Sequence, residues 1–112
     1  MKDLLGNEIS EKDIQDQIIA CLKPYARVWN VTTGVFKSGN RFVTTFPKGT
    51  PDLLGFRKKD GKMFFIEVKN AKGRLSEEQK DFARYIKRFP VLYGTARNVE
   101  EAFEILEIPF NF

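Results

Sequence analysis

The run Met63-Phe64-Phe65-Ile66-Glu67-Val68-Lys69 constrains the fold more than any other stretch of the chain. Three successive large apolar residues offer no alternating polar face to water, so they read as an interior strand. Glu67 and Lys69 close the run two residues apart, which puts both side chains on one face. Charge on an interior strand is expected at its end, beside a site. A Glu-x-Lys pair is equally the pattern of a solvated strand face, and spacing alone does not decide between the two.

The segments around this strand supply helices to pack on it. Ser10 followed by Asp13 resembles a capping box, and the helix it starts is expected to run to about Lys23, before Pro24. Ile14, Ile18, Cys21, Leu22 and Tyr25 fall on one stripe, which makes Cys21 a core residue and not a reactive thiol. Residues 26–33 are rich in β-branched and aromatic side chains and read as a strand. Ser38-Gly39-Asn40 marks a turn between 35–37 and 41–46, a hairpin pattern. Residues 47–51 form a loop, 52–57 a short strand, 59–62 a tight turn and 70–75 a polar loop.

Ser76-Glu77-Glu78-Gln79 is a capping box opening a helix to about Phe89, with Phe82, Tyr85, Ile86 and Phe89 facing inward. A strand over 91–96 follows Pro90. A last helix is capped by Asn98 and directs Val99, Ala102, Phe103 and Leu106 inward. The expected order is αβββββαβα, an α/β fold in which a mixed sheet is flanked by helices.

With 112 residues the chain fits one domain, 1–112, with a loose arm over 1–9. The single cysteine rules out an intrachain disulfide and fits a reducing, cytoplasmic setting. Histidine is absent, which removes His-based triads and the usual zinc sites. No apolar run reaches membrane-spanning length and the N-terminus has no signal-peptide core, so no membrane partner is expected. The formal charge of +4 is modest, but its placement is informative. From Arg27 to Lys59 the chain is basic and Asp52 is its only acid.

Asp52 begins a short strand after the turn Gly49-Thr50-Pro51, and Glu67 ends the next. An antiparallel pairing of these strands brings the two carboxylates within reach of one ion. Two carboxylates, a backbone carbonyl and water form an oxygen site suited to Mg²⁺ or Mn²⁺. Lysine beside that ion would orient water or stabilise charge on a phosphate. The plainer alternative for Asp52 is a turn residue after proline.

The ordered set Thr33-Gly34, Gly49-Thr50-Pro51-Asp52-Leu53-Leu54-Gly55, Ile66-Glu67-Val68-Lys69, Gly73-Arg74-Leu75-Ser76-Glu77-Glu78-Gln79-Lys80 and Ala96-Arg97-Asn98-Val99-Glu100-Glu101 is similar to one known family. It resembles the PD-(D/E)XK nuclease superfamily, and within it the VRR-NUC domain of the small stand-alone phage and bacterial type. The likeness spans residues 11 to about 106. It implies a restriction-endonuclease-like core and a Mg²⁺- or Mn²⁺-dependent endonuclease that hydrolyses DNA to 5′-phosphate and 3′-hydroxyl ends. Asp52 and Glu67 would hold the metal, helped by the Val68 carbonyl, and Lys69 would act on water or the transition state. The resemblance also implies a glutamine on the helix after the Glu-x-Lys strand, which Gln79 matches. It further implies an acid on the first helix, either Glu11 or Asp13, of which Glu11 is preferred because Asp13 has a role at the cap. Stand-alone members resemble junction resolvases, so a homodimer acting on branched DNA, such as a four-way junction, is expected. The expected nucleic-acid contacts are Lys37, Arg41 and Lys48 on one side, and Lys72, Arg74 and Lys80 on the other. Trp29 and Phe36 are either base-stacking or core aromatics. The alternative function is a nucleic-acid-binding module without catalysis. The apolar end Pro109-Phe110-Asn111-Phe112 is expected to cover a partner or a core edge.

Overall fold

A computed structural model describes residues 9–110. The arm expected over 1–9 therefore lies outside the described residues apart from Ile9, as do Asn111 and Phe112. Helix α1 (Glu11–Leu22) begins where the Ser10 hydroxyl accepts a hydrogen bond from the Asp13 amide at 3.1 Å. Ile14, Ile18 and Leu22 form its buried stripe. Cys21 is half-buried against this core, but Tyr25 departs from the expected pattern and is 45% exposed. The helical period ends at Leu22 ahead of Pro24, so Tyr25 is redirected to meet Phe103 edge-on at 5.7 Å.

Strands β1 (Ala26–Asn30), β4 (Leu53–Arg57), β5 (Met63–Val68) and β6 (Leu92–Ala96) form a mixed sheet in the order β1-β4-β5-β6. The first two pairings are antiparallel, and β5 pairs with β6 in parallel. The parallel pair needs a crossover, supplied by α2 (Glu77–Ile86). Interior position is written into β5, where every residue from Phe64 to Val68 is buried. Phe64, Ile66 and Val68 face α1 and α3 (Val99–Ile105), packing with Ile14, Ile18, Leu22, Ala102, Phe103 and Leu106. Phe65 and Glu67, alternating with them, face the opposite side, where the Phe82 ring of α2 meets Phe65 at 5.3 Å. Gly55 lies where β1 passes closest. A Cβ there would stand 1.8 Å from the Arg27 carbonyl oxygen, so only glycine fits.

Two expectations need correction. Helix α2 stops at Ile86, not Phe89, and Tyr85 and Phe89 are exposed at 54% and 44%. Its buried face is Ala83 and Ile86 with half-buried Phe82, because the residue before Pro90 is driven out of helical geometry and the last turn unwinds. The hairpin β2 (Val35–Ser38) and β3 (Arg41–Thr44) forms a two-stranded sheet of its own and does not extend the main one. Strand β1 correspondingly ends at Asn30. Among the described residues no helix is long and apolar enough to cross a membrane.

Candidate active site

Register places the two carboxylates. Leu53 pairs with Ile66 and both face the core, so the flanking Asp52 and Glu67 sit side by side on the opposite face. The turn that delivers Asp52 is tightly held. Gly49 has φ +95°, and a Cβ on it would lie 2.5 Å from the Glu78 carbonyl oxygen at the start of α2. Thr50 fastens the same turn, its hydroxyl donating to the Pro47 carbonyl at 2.7 Å. Asp52 Oδ2 then accepts from the Val68 amide at 2.8 Å, which ties one carboxylate across to the strand bearing the other.

Glu67 is the anomaly of the molecule, a carboxylate only 1% exposed. Its Oε1 accepts from Gln79 Nε2 at 2.9 Å and has the Lys69 ammonium 3.9 Å away. Its Oε2 has no hydrogen-bond partner. Burial chiefly, and then the adjacent Asp52, push the Glu67 carboxyl up from an ordinary 4.5 to about 8, with Lys69 opposing and Glu11 adding to the rise. A buried acceptor without a donor beside a second acid is costly for a fold to retain, which makes this corner the candidate site.

Gln79 serves two ends at once. Its Oε1 accepts from the Ser76 amide at 2.8 Å, closing the capping box, while its Nε2 donates to Glu67. The capping role does not compete with the site role, as one amide has a separate acceptor and donor. Glu11 arrives from the first turn of α1 and its Oε2 accepts from the Asn70 amide at 3.4 Å. Asp13 is exposed, and its amide is engaged by Ser10. Among the described residues, no group of three His, Cys, Asp and Glu side chains could by itself hold a metal ion. The close carboxylates are the pair Asp52 and Glu67.

Arg97 and Asn70 organise the rim, and nothing in the spacing of the sequence marks either for that task. Arg97 Nη1 donates to the carbonyls of Asn70 at 2.5 Å and Gly73 at 2.9 Å, clamping the loop after β5. The Asn70 side chain accepts from the Gly73 amide at 2.8 Å. Gly73 is pressed so close that a Cβ would meet Glu11 Oε2 at 2.6 Å and Lys69 Cδ at 3.1 Å.

The expected nucleic-acid contacts scatter. Lys48 pairs with Glu78 and Lys80 with Glu77, each at 3.5 Å, so these charges are partly neutralised locally. Lys72 and Arg74 are exposed on the clamped loop. Lys37 and Arg41 lie on the separate hairpin.

The sheet order and the two layers of helices define a restriction-endonuclease-like α/β core. The family model of the VRR-NUC domain matches residues 9–100. This chain belongs to the VRR-NUC domain family, a nuclease-type family of the PD-(D/E)XK superfamily. A solved structure described as a VRR_NUC domain aligns with a TM-score of 0.58 at 18% identity, covering 89% of this chain and 97% of that one. At that identity the likeness is one of fold. Among curated proteins none matches the chain.

Proposed function

We propose that the protein is a Mg²⁺- or Mn²⁺-dependent endonuclease that hydrolyses DNA phosphodiesters at the Asp52–Glu67 pair. The observation that carries this reading is the buried Glu67 carboxylate, its Oε2 without a donor and its charge raised in cost by Asp52. A divalent cation fits that arrangement. It would satisfy the orphaned oxygen and cancel the repulsion, with Asp52, Glu67 and the Val68 carbonyl as protein ligands, Glu11 beyond them, and water completing the shell. Such a cation supplies Lewis-acid chemistry and charge neutralisation at the phosphate.

The chain's own residues do the rest. Gln79 fixes the rotamer of Glu67, and the Val68 amide fixes that of Asp52. Lys69, 12% exposed, holds a positive charge beside Glu67 where it can orient the attacking water or stabilise charge developing on the phosphate. In-line attack then leaves 5′-phosphate and 3′-hydroxyl ends. A homodimer would place two such sites on two strands of a branched substrate, which suits selectivity for DNA structure.

Incubation of supercoiled plasmid, and of flap, splayed and four-way-junction oligonucleotides, with Mg²⁺, Mn²⁺ or EDTA tests this reading. Metal-dependent cutting lost in Lys69→Ala with DNA binding retained is the expected result. Binding without cutting in either metal would leave a nucleic-acid-binding module and end the enzyme reading.

A further inference from the structure

We infer that the β2–β3 hairpin is a DNA-engaging arm, whose Phe36 and Phe42 pack on unstacked bases at a branch while Lys37 and Arg41 hold phosphates. This deepens the proposed function and rests on DNA being the substrate. The hairpin buries almost nothing of itself. Val35, Phe36, Phe42 and Val43 are exposed at 60%, 47%, 75% and 47%. The bonds at its base join its own two ends: a bridge between Thr33 and Phe46, the Gly34 amide donating to the Phe46 carbonyl at 3.3 Å, and the Thr45 amide and hydroxyl each donating to the Gly34 carbonyl at 3.0 Å. A two-stranded ribbon without a core beneath it is marginal in water, so these apolar side chains are placed for a partner.

Register shows what that partner must be. Directly paired residues share a face, so Phe36 and Val43 lie with Arg41 on one side, and Phe42 lies with Lys37 on the other. Each face therefore presents an aromatic ring next to a cation. Among the described residues neither Lys37 nor Arg41 forms an ion pair, unlike Lys48 and Lys80. Between Asp16 and Asp52 the sequence contains no acid, so no charge of this segment opposes them. Stacking surfaces beside uncompensated cations suit exposed bases and phosphates. A two-stranded ribbon also has the dimensions to enter a major groove. A second copy of the hairpin is the poorer occupant. A two-fold contact sets the same patch against itself, which would bring Lys37 and Arg41 against their own counterparts with no acid between them.

The test is fluorescence anisotropy in EDTA, where no cutting occurs, with a labelled four-way junction and a blunt duplex of equal length. The Phe36→Ala/Phe42→Ala protein should bind the junction about tenfold more weakly and the duplex almost unchanged, since base stacking is the interaction removed. Lys37→Ala/Arg41→Ala should weaken both DNAs alike and lower the salt dependence by roughly one phosphate contact per residue. The hairpin lies outside the core, so circular dichroism should be unchanged in both. Junction binding equal to wild type in the aromatic variant overturns the inference, as does equal loss on both DNAs. Conversion of a wild-type dimer to monomer by that variant, seen in sedimentation velocity, overturns it too and assigns the hairpin to self-association. Selective loss on the junction from a protein that cuts no DNA would uphold the arm and sink the nuclease reading alone.

Discussion

Glu67→Gln should make the metal-free protein more stable while abolishing its proposed activity. The folded state holds the Glu67 carboxyl near 8 against an ordinary 4.5. Between those two pH values the unfolded chain releases a proton that the folded chain keeps, so ionisation favours unfolding. The cost is absent below pH 4.5, grows as pH rises, and is complete above pH 8. At about 1.4 kcal/mol per unit the ceiling is roughly 5 kcal/mol above pH 8 and about 3 kcal/mol at pH 7. Water entry and relaxation around the pair reduce this, and about 2 kcal/mol at pH 8 is the working figure.

Glutamine removes the ionisation, keeps an acceptor for Gln79 Nε2, and offers its own amide hydrogens to Asp52. For a domain of this size the gain corresponds to a rise in Tm of about 10 °C in EDTA at pH 8, shrinking toward zero at pH 4.5. Thermal denaturation followed by circular dichroism across that range measures it directly. Manganese should raise the wild-type Tm and close the gap, because the variant lacks the charge that attracts the ion. A variant no more stable than wild type at pH 8, or a gap of equal size at pH 4.5, would refute the assignment of Glu67 as a strained, proton-holding carboxylate.

Lys69→Ala should reduce the cleavage rate by about 10²–10³-fold with little change in DNA affinity, read from single-turnover kinetics beside anisotropy. Gln79→Ala removes the side-chain half of the capping box and the donor to Glu67, while the Ser76 hydroxyl still accepts from the amide of residue 79. The substitution should cost about 1–2 kcal/mol in urea denaturation and weaken metal binding by calorimetry, whereas Gln79→Glu should retain the cap and still lose the metal-free contact to Glu67. Gly73→Ala should lower activity more than stability, since the added methyl group displaces Glu11 and Lys69 and not the core; equal activity would show that the rim tolerates the shift. Arg97→Lys, which cannot reproduce the double donation to Asn70 and Gly73, should weaken Mn²⁺ binding while the Tm moves by only a few degrees.

What the sequence discloses and what it withholds divide along the range of the interactions involved. The β5 run, the caps at Ser10, Ser76 and Asn98, and the stripe Ile14-Ile18-Leu22 depend on neighbours within a turn or a strand period, and each is where local pattern places it. Tyr85 and Phe89 share the helical spacing of Ile86 yet face solvent, because an aromatic stripe encodes a face without encoding how much sheet lies beneath it. The hairpin is legible as a hairpin, but its separation from the main sheet is set by where β1 and β4 pair, a non-local fact. At the site, the alternation of β5 puts Glu67 and Lys69 on one face, and a chain argument can go that far. It cannot give the burial of Glu67, which depends on α2 closing over that face and on Gln79 dividing its amide between cap and carboxylate. Nor can it give the Arg97 clamp, which reaches back 27 residues to Asn70. The strained charge and the loop that steadies its surroundings thus arise from helix and loop packing around β5, and substitutions at Gln79, through its direct bond, and at Arg97, through the clamped loop, should alter the chemistry of Glu67 while leaving that residue in place.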